Sequence, residues 1–135
     1  MGKVLLAYSP EYAAGLLGRP LRPLTGSTII DPAQLAIQFA SIADYGIATE
    51  EDEAVLGESS VAAPVVDTRG NVIAAVAVVV PSSQWPPESD VLNSLRETAR
   101  NISRELGAST WPPRAPQPVA ASHPTSQRPI PRPET

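Results

Sequence analysis

A mixed α/β (α+β) domain, a small sheet flanked by helices and followed by a tail outside it, is the fold class this sequence predicts. Three observations predict it. Two apolar runs, 61–66 and 72–80, are separated by Asp67-Thr68-Arg69-Gly70-Asn71, a short polar cluster whose glycine can take a positive φ, which is a β-hairpin signature. Apolar residues recur at helical spacing in two other stretches, around 32–45 and 91–106. Half of the 16 prolines fall after Thr110, where the large aliphatics nearly vanish.

Taken in order, residues 2–8 (GKVLLAY) are short and apolar, and a helical turn and a strand both fit them. Ser9-Pro10-Glu11 combines an N-cap type, a proline at the first helical position and a first-turn acid, so a helix is expected from there to about Leu17, stopped by Gly18 and Pro20. Residues 19–30 carry Pro20, Pro23 and Gly26 without a clear period and read as a loop. Asp31-Pro32 repeats the start signal, with Gln34 placed for a capping box, and Leu35, Phe39 and Ile42 line one face until Gly46. Ile47-Ala48-Thr49 opens a strand, and the acid run Glu50-Glu51-Asp52-Glu53 follows. The hairpin runs are short and rich in β-branched residues, which favours strands over a buried helix. No polar residue alternates in the second run, so it is expected inside the sheet with both faces covered. A proline-punctuated loop, 81–87, leads to an amphipathic helix in which Val91, Leu95, Ala99, Ile102 and Leu106 form the stripe and Gly107 the end.

Composition bounds the function classes. Residues 1–109 form one domain with a net charge of −6, and residues 110–135 form a Pro/Arg-rich tail of net charge +2. The tail is expected to be disordered and to add nothing to the fold, since its few aliphatics cannot offset the entropy of ordering. An acidic domain argues against nucleic acid lying directly on it, because phosphate neutralisation needs clustered Lys or Arg. The absence of cysteine removes disulfides and thiolate metal sites and fits a reducing, cytoplasmic setting. With no long apolar segment, neither a signal peptide nor a membrane partner is expected.

The order and spacing of GKVLLAYSPE, TIIDPAQLAIQFASIADYGIATEEDEAVLGESSVAAPVVDTRGNVIAAVAVVVP and RETARNISRELG resemble the C-terminal effector-binding domain of the IclR family of bacterial transcription factors, over about residues 2–107. The resemblance implies a partial GAF-like or profilin-like domain with a mostly antiparallel sheet between helices. It also implies that the domain binds a small organic acid and controls a separate winged helix-turn-helix, usually within a homo-oligomer. In the family, further strands and the DNA-binding domain precede the position of Gly2; the chain is therefore expected to be truncated at its start, and DNA to be a partner only through a helix-turn-helix it lacks. Carried over residue by residue, the effector site comprises Gly2, Glu50, Ser60, Ala77 and Val79. The last two stand where the family has ligand-facing serines. A small hydrophilic acid would lose two hydrogen bonds of about 0.5–1.5 kcal/mol each, which favours a larger or aromatic acid.

Each remaining motif admits a functional and a plainer reading. The acids 50–53 can pair for acid/base work or hold a divalent cation, against a solvated acidic turn, which is preferred. His123 sits in the tail with no nucleophile beside it. Arg96, Arg100 and Arg104, four apart, can meet phosphates or a partner's acids; a solvated face interleaved with Glu97 and Glu105 is the simpler reading. Pro112-Pro113-Arg114 and residues 128–133 resemble polyproline ligands, although a plain extension is preferred. No catalytic residue, metal or cofactor is assigned. The sequence therefore points to a ligand-sensing regulatory module, with a dimerisation or interaction module that has lost effector binding as the alternative and a small hydrolase or lyase last.

Overall fold

In a computed structural model that describes residues 1–117, helices α1 (Gly2–Ala7), α2 (Pro10–Leu17) and α3 (Pro32–Tyr45) precede strands β1 (Ala48–Glu51), β2 (Glu58–Val66) and β3 (Val72–Pro81). A 3-10 turn (Ser82–Gln84) and helix α4 (Ser89–Glu105) follow. The first segment, for which helix and strand both fitted, is helical. Prolines start α2 and α3 as expected, and the Asp31 side chain caps α3 by accepting from the Ala33 N–H at 3.0 Å. Gly46 ends α3 at φ 70°, and a Cβ built there would lie 2.9 Å from Pro112, so only glycine meets both the backbone angle and the close approach. At the end of α4 the Gly107 N–H reaches the Arg104 carbonyl and the Ala108 N–H reaches that of Ser103, a Schellman arrangement.

The sheet has the order β1-β2-β3, antiparallel throughout. In the β2–β3 turn, Asp67 Oδ1 accepts the N–H groups of Arg69 and Asn71, both at 2.9 Å. These bonds, led by that of Asn71, hold its carboxyl below the usual carboxylate range. Helices cover the two faces separately. Val4, Ala7, Leu35, Phe39 and Ile42 pack with Ala48 and Ala62 on one side, while Leu95 and Ala99 of α4 pack with Val61 and Ala63 on the other.

The interior strand is β2, whose residues are buried from Ser59 to Val66. The run 72–80 was expected in that place; instead β3 forms one edge, with Ile73 54% and Val79 61% exposed. The reason is strand count. With three strands among the described residues, β1 takes the second side of β2 and nothing is left for the outer side of β3.

On its other side β2 outruns β1, whose pairing ends at Ala48 opposite Ala62. The unpaired half of that edge is closed by side chains. Pro64 has no N–H to satisfy, and its carbonyl accepts from Trp111 Nε1 at 2.9 Å. The Val66 N–H donates to Ser103 Oγ at 2.9 Å, and that hydroxyl donates to the Ala99 carbonyl at 2.7 Å. Trp111 also packs against the α4-side core, and Pro113 is buried. Residues 111–117 of the expected disordered tail thus lie along the domain, the tryptophan supplying the apolar area that was expected to be missing and a hydrogen-bond donor besides. The rest of that tail, with His123, lies outside the described residues.

Candidate ligand-binding site

The site is built around the turn that joins β1 to β2. Glu50, at the end of β1, accepts the N–H groups of Glu53 at 2.7 Å and Ala54 at 2.9 Å on one carboxylate oxygen. The other oxygen accepts from Ser60 Oγ at 3.1 Å. Asp52 turns the chain with φ 55° and accepts the Gly57 N–H at 2.8 Å and the Ser82 hydroxyl at 2.5 Å, and Ser82 in turn meets Ser59 at 2.7 Å. Glu53 is ion-paired with Lys3, both side chains being largely withdrawn from water. From the loop before α3, Thr25 and Thr28 donate to the carbonyls of Asp52 and Glu53, both at 2.6 Å. The acid run was expected to be a solvated turn. Of its four members only Glu51 is exposed, because backbone N–H groups, hydroxyls and an ammonium offset the cost of desolvating the other three.

Above this turn lies a cleft of about 270 Å³ whose walls include Gly2 and Lys3 of α1, Thr28, Glu50, Glu53 and Ser60. Three of the five residues expected at the site, Gly2, Glu50 and Ser60, therefore line one cavity. Ala77 and Val79 do not line it, but the register puts them on the same sheet face: Glu50, Ser60 and Val79 form one cross-strand row, and Ala48, Ala62 and Ala77 the next. Ala77 packs toward the α1–α3 core and Val79 is exposed at the rim. Of the other polar residues lining the cleft, sequence reasoning missed Lys3 and Thr28 and placed Glu53 in a solvated turn. No local pattern could have found them, since Lys3 and Glu53 are 50 residues apart.

The cleft brings acceptor, hydroxyl and cationic groups together. Glu50 offers acceptor capacity, Ser60 and Thr28 offer hydroxyls, and Lys3 Nζ, which also donates to the Thr49 carbonyl at 3.2 Å, offers a cation. Among the described residues no three His, Cys, Asp or Glu side chains are arranged to hold a metal ion. No helix among them is long and apolar enough to cross a membrane.

Comparison with known proteins places the fold in a family. Residues 1–104 match the family model described as the bacterial transcriptional regulator IclR C-terminal domain. The chain is 35% identical over 113 residues to the DNA-binding transcriptional repressor YiaJ of Escherichia coli K12, a match that covers 79% of this chain and 40% of that protein. The chain thus spans about 40% of the length of the curated relatives it matches. The solved structure of the transcriptional regulator YaiJ superimposes with a TM-score of 0.72 at 35% identity, covering 79% of this chain and 62% of that one. An Acinetobacter PobR inducer-binding domain, a double mutant in complex with 3-hydroxybenzoic acid, gives a TM-score of 0.68 at 26% identity, over 76% of this chain and 61% of that one. These relatives are transcriptional regulators, not enzymes. The α1–β1–β2 arrangement that builds the cleft lies within the matched residues, and the chain belongs to the IclR family of bacterial transcriptional regulators, as part of its C-terminal regulatory domain.

Proposed function

We propose that this chain is the ligand-sensing part of a cytoplasmic, homo-oligomeric regulator, a GAF-like module that binds a small aromatic or medium-sized organic acid and acts on DNA through a separate helix-turn-helix domain. The observation that carries the reading is the cleft in which Glu50 and Ser60 meet Gly2 and Lys3. A hydroxylated aromatic acid suits it. The ring hydroxyl can donate to Glu50, the carboxylate can turn to Lys3, and the ring can lie toward the face formed by Ala77 and Val79. A two-carbon acid would find no hydroxyls at those last two positions. The complex of PobR with 3-hydroxybenzoic acid supports an acid of this size for a relative. The second reading, an interaction module without an effector, draws on the open apolar edge of β3.

Thermal melts separate the two. 3-Hydroxybenzoate should raise the melting temperature by mass action on the native state, and glyoxylate should do less. A Glu50→Gln, Ser60→Ala double variant should bind several-fold to about a hundredfold more weakly, from two lost hydrogen bonds of about 0.5–1.5 kcal/mol each. An equal response from that variant removes these residues from the site, and no response to any acid of a broad panel favours the interaction module.

A further inference from the structure

The arginines of α4 play no part in the reading above. Arg100 and Arg104, one turn apart, line a cleft of about 440 Å³ closed on its other side by Ser109, Thr110 and Trp111. Neither guanidinium is ion-paired among the described residues. Arg100 lies over the Trp111 ring at 5.7 Å from its centroid, and the ring is tied to the Pro64 carbonyl at 2.9 Å, so one of the two cations rests on an anchored platform. Ser103, on the cleft floor, is already engaged with Val66 and Ala99. A basic residue in a last turn suits the helix dipole, which accounts for Arg104 alone. It does not account for a second arginine opening on the same cleft. The carbonyls of Ser103 and Arg104 are closed off by the N–H groups of Ala108 and Gly107, which blunts the negative helix end an anion would otherwise face.

The geometry points to a second binding site, in which Arg100 and Arg104 hold a compact dianion of the phosphate type, such as the phosphoryl group of a small metabolite, with Ser109 and Thr110 hydroxyls beside it. Guanidinium groups present planar sets of N–H donors matched to phosphate and carboxylate oxygens. No carboxylate lines the cleft, although residues 1–109 carry a net charge of −6. This site lies on the α4 side of the sheet and does not depend on the effector reading.

The test uses the full chain labelled with 15N and follows the indole N–H signals of Trp111 and Trp85 while inorganic phosphate, succinate or chloride is added at constant ionic strength. Phosphate should shift the Trp111 signal saturably and leave Trp85 in place. Arg100→Gln and Arg104→Gln should each weaken binding about tenfold, one charge-assisted hydrogen bond apiece, and together abolish it. A succinate response equal to that of phosphate supports the site and widens its ligands to dicarboxylates. A non-saturating shift shared with chloride, or an unchanged titration in a double variant whose melt shows it folded, overturns the proposal.

Discussion

The two long edges of the sheet are finished in different ways. Where β2 outruns β1, its polar backbone groups are met by side chains from elsewhere in the chain, Trp111 on Pro64 and Ser103 on Val66. Along β3, ten residues of apolar strand stand at an edge that nothing among the described residues covers. The contrast separates two kinds of edge. A buried edge must have its N–H and C=O groups satisfied within the chain or lose about 1–3 kcal/mol for each. An edge open to water carries no such penalty, but it offers a template for another chain.

Removing what closes the first edge should have the largest effect. Ending the chain after Thr110, or Trp111→Ala, strips an aromatic side chain from the α4-side core and leaves the Pro64 carbonyl without its donor. Large-to-small aromatic changes cost about 3–5 kcal/mol when the ring is fully buried; Trp111 is half-buried, so about 2–3 kcal/mol is expected, read as a lower denaturation midpoint. An unchanged midpoint would mean that residues 111–117 add nothing to the domain. Ser103→Ala comes next. It leaves the buried Val66 N–H without an acceptor and should cost about 1–3 kcal/mol, whereas Ser103→Thr, which keeps the hydroxyl, should recover part of the loss.

The open edge should respond in association more than in stability. Ile73→Lys places a charge on an exposed edge position and should shift light-scattering mass toward monomer, with the melt altered by less than about 0.5 kcal/mol. If the wild-type chain is already a compact monomer at high concentration, β3 is not an association surface. Val78→Lys is the informative partner: Val78 packs against the α4-side core, so the same substitution there should destabilise the fold instead of freeing the edge.

The smallest effect concerns pH. The Tyr8 hydroxyl donates to the carbonyls of Ile42 at 3.1 Å and Ala43 at 3.2 Å, and burial, with Asp44 nearby, pushes its pKa up to about 12. A group whose pKa is raised by folding stabilises the fold fully below its unfolded value, near 10, and loses that contribution as pH rises through the folded value. Stability should therefore fall between about pH 10 and 12, and Tyr8→Phe should flatten that part of the profile. An identical alkaline slope in the variant would assign the loss to other groups.

Local chemistry made much of the fold legible. Proline at the first helical position, the Asp31 cap, Gly46 and Gly107 at helix ends and the Asp67–Asn71 turn all act through neighbours a few residues away, and each element they bound lies where the sequence placed it. Gly2, Glu50 and Ser60 were legible as a candidate site only through their resemblance to a family; nothing in their spacing shows that α1 meets the β1–β2 turn. Tertiary structure alone decided which apolar run would be interior. Val61–Val66 and Val72–Val80 are alike in composition, and their places depend on where β1 pairs. It alone decided that Lys3 would neutralise Glu53, turning an acid run that reads as solvated into a fixed turn. And it alone recruited Trp111 to Pro64: a proline-rich segment lacks the local period that would mark it as part of a fold, and residues 111–113 are placed by contacts distant in sequence, among them the indole's bond to a carbonyl 47 residues away.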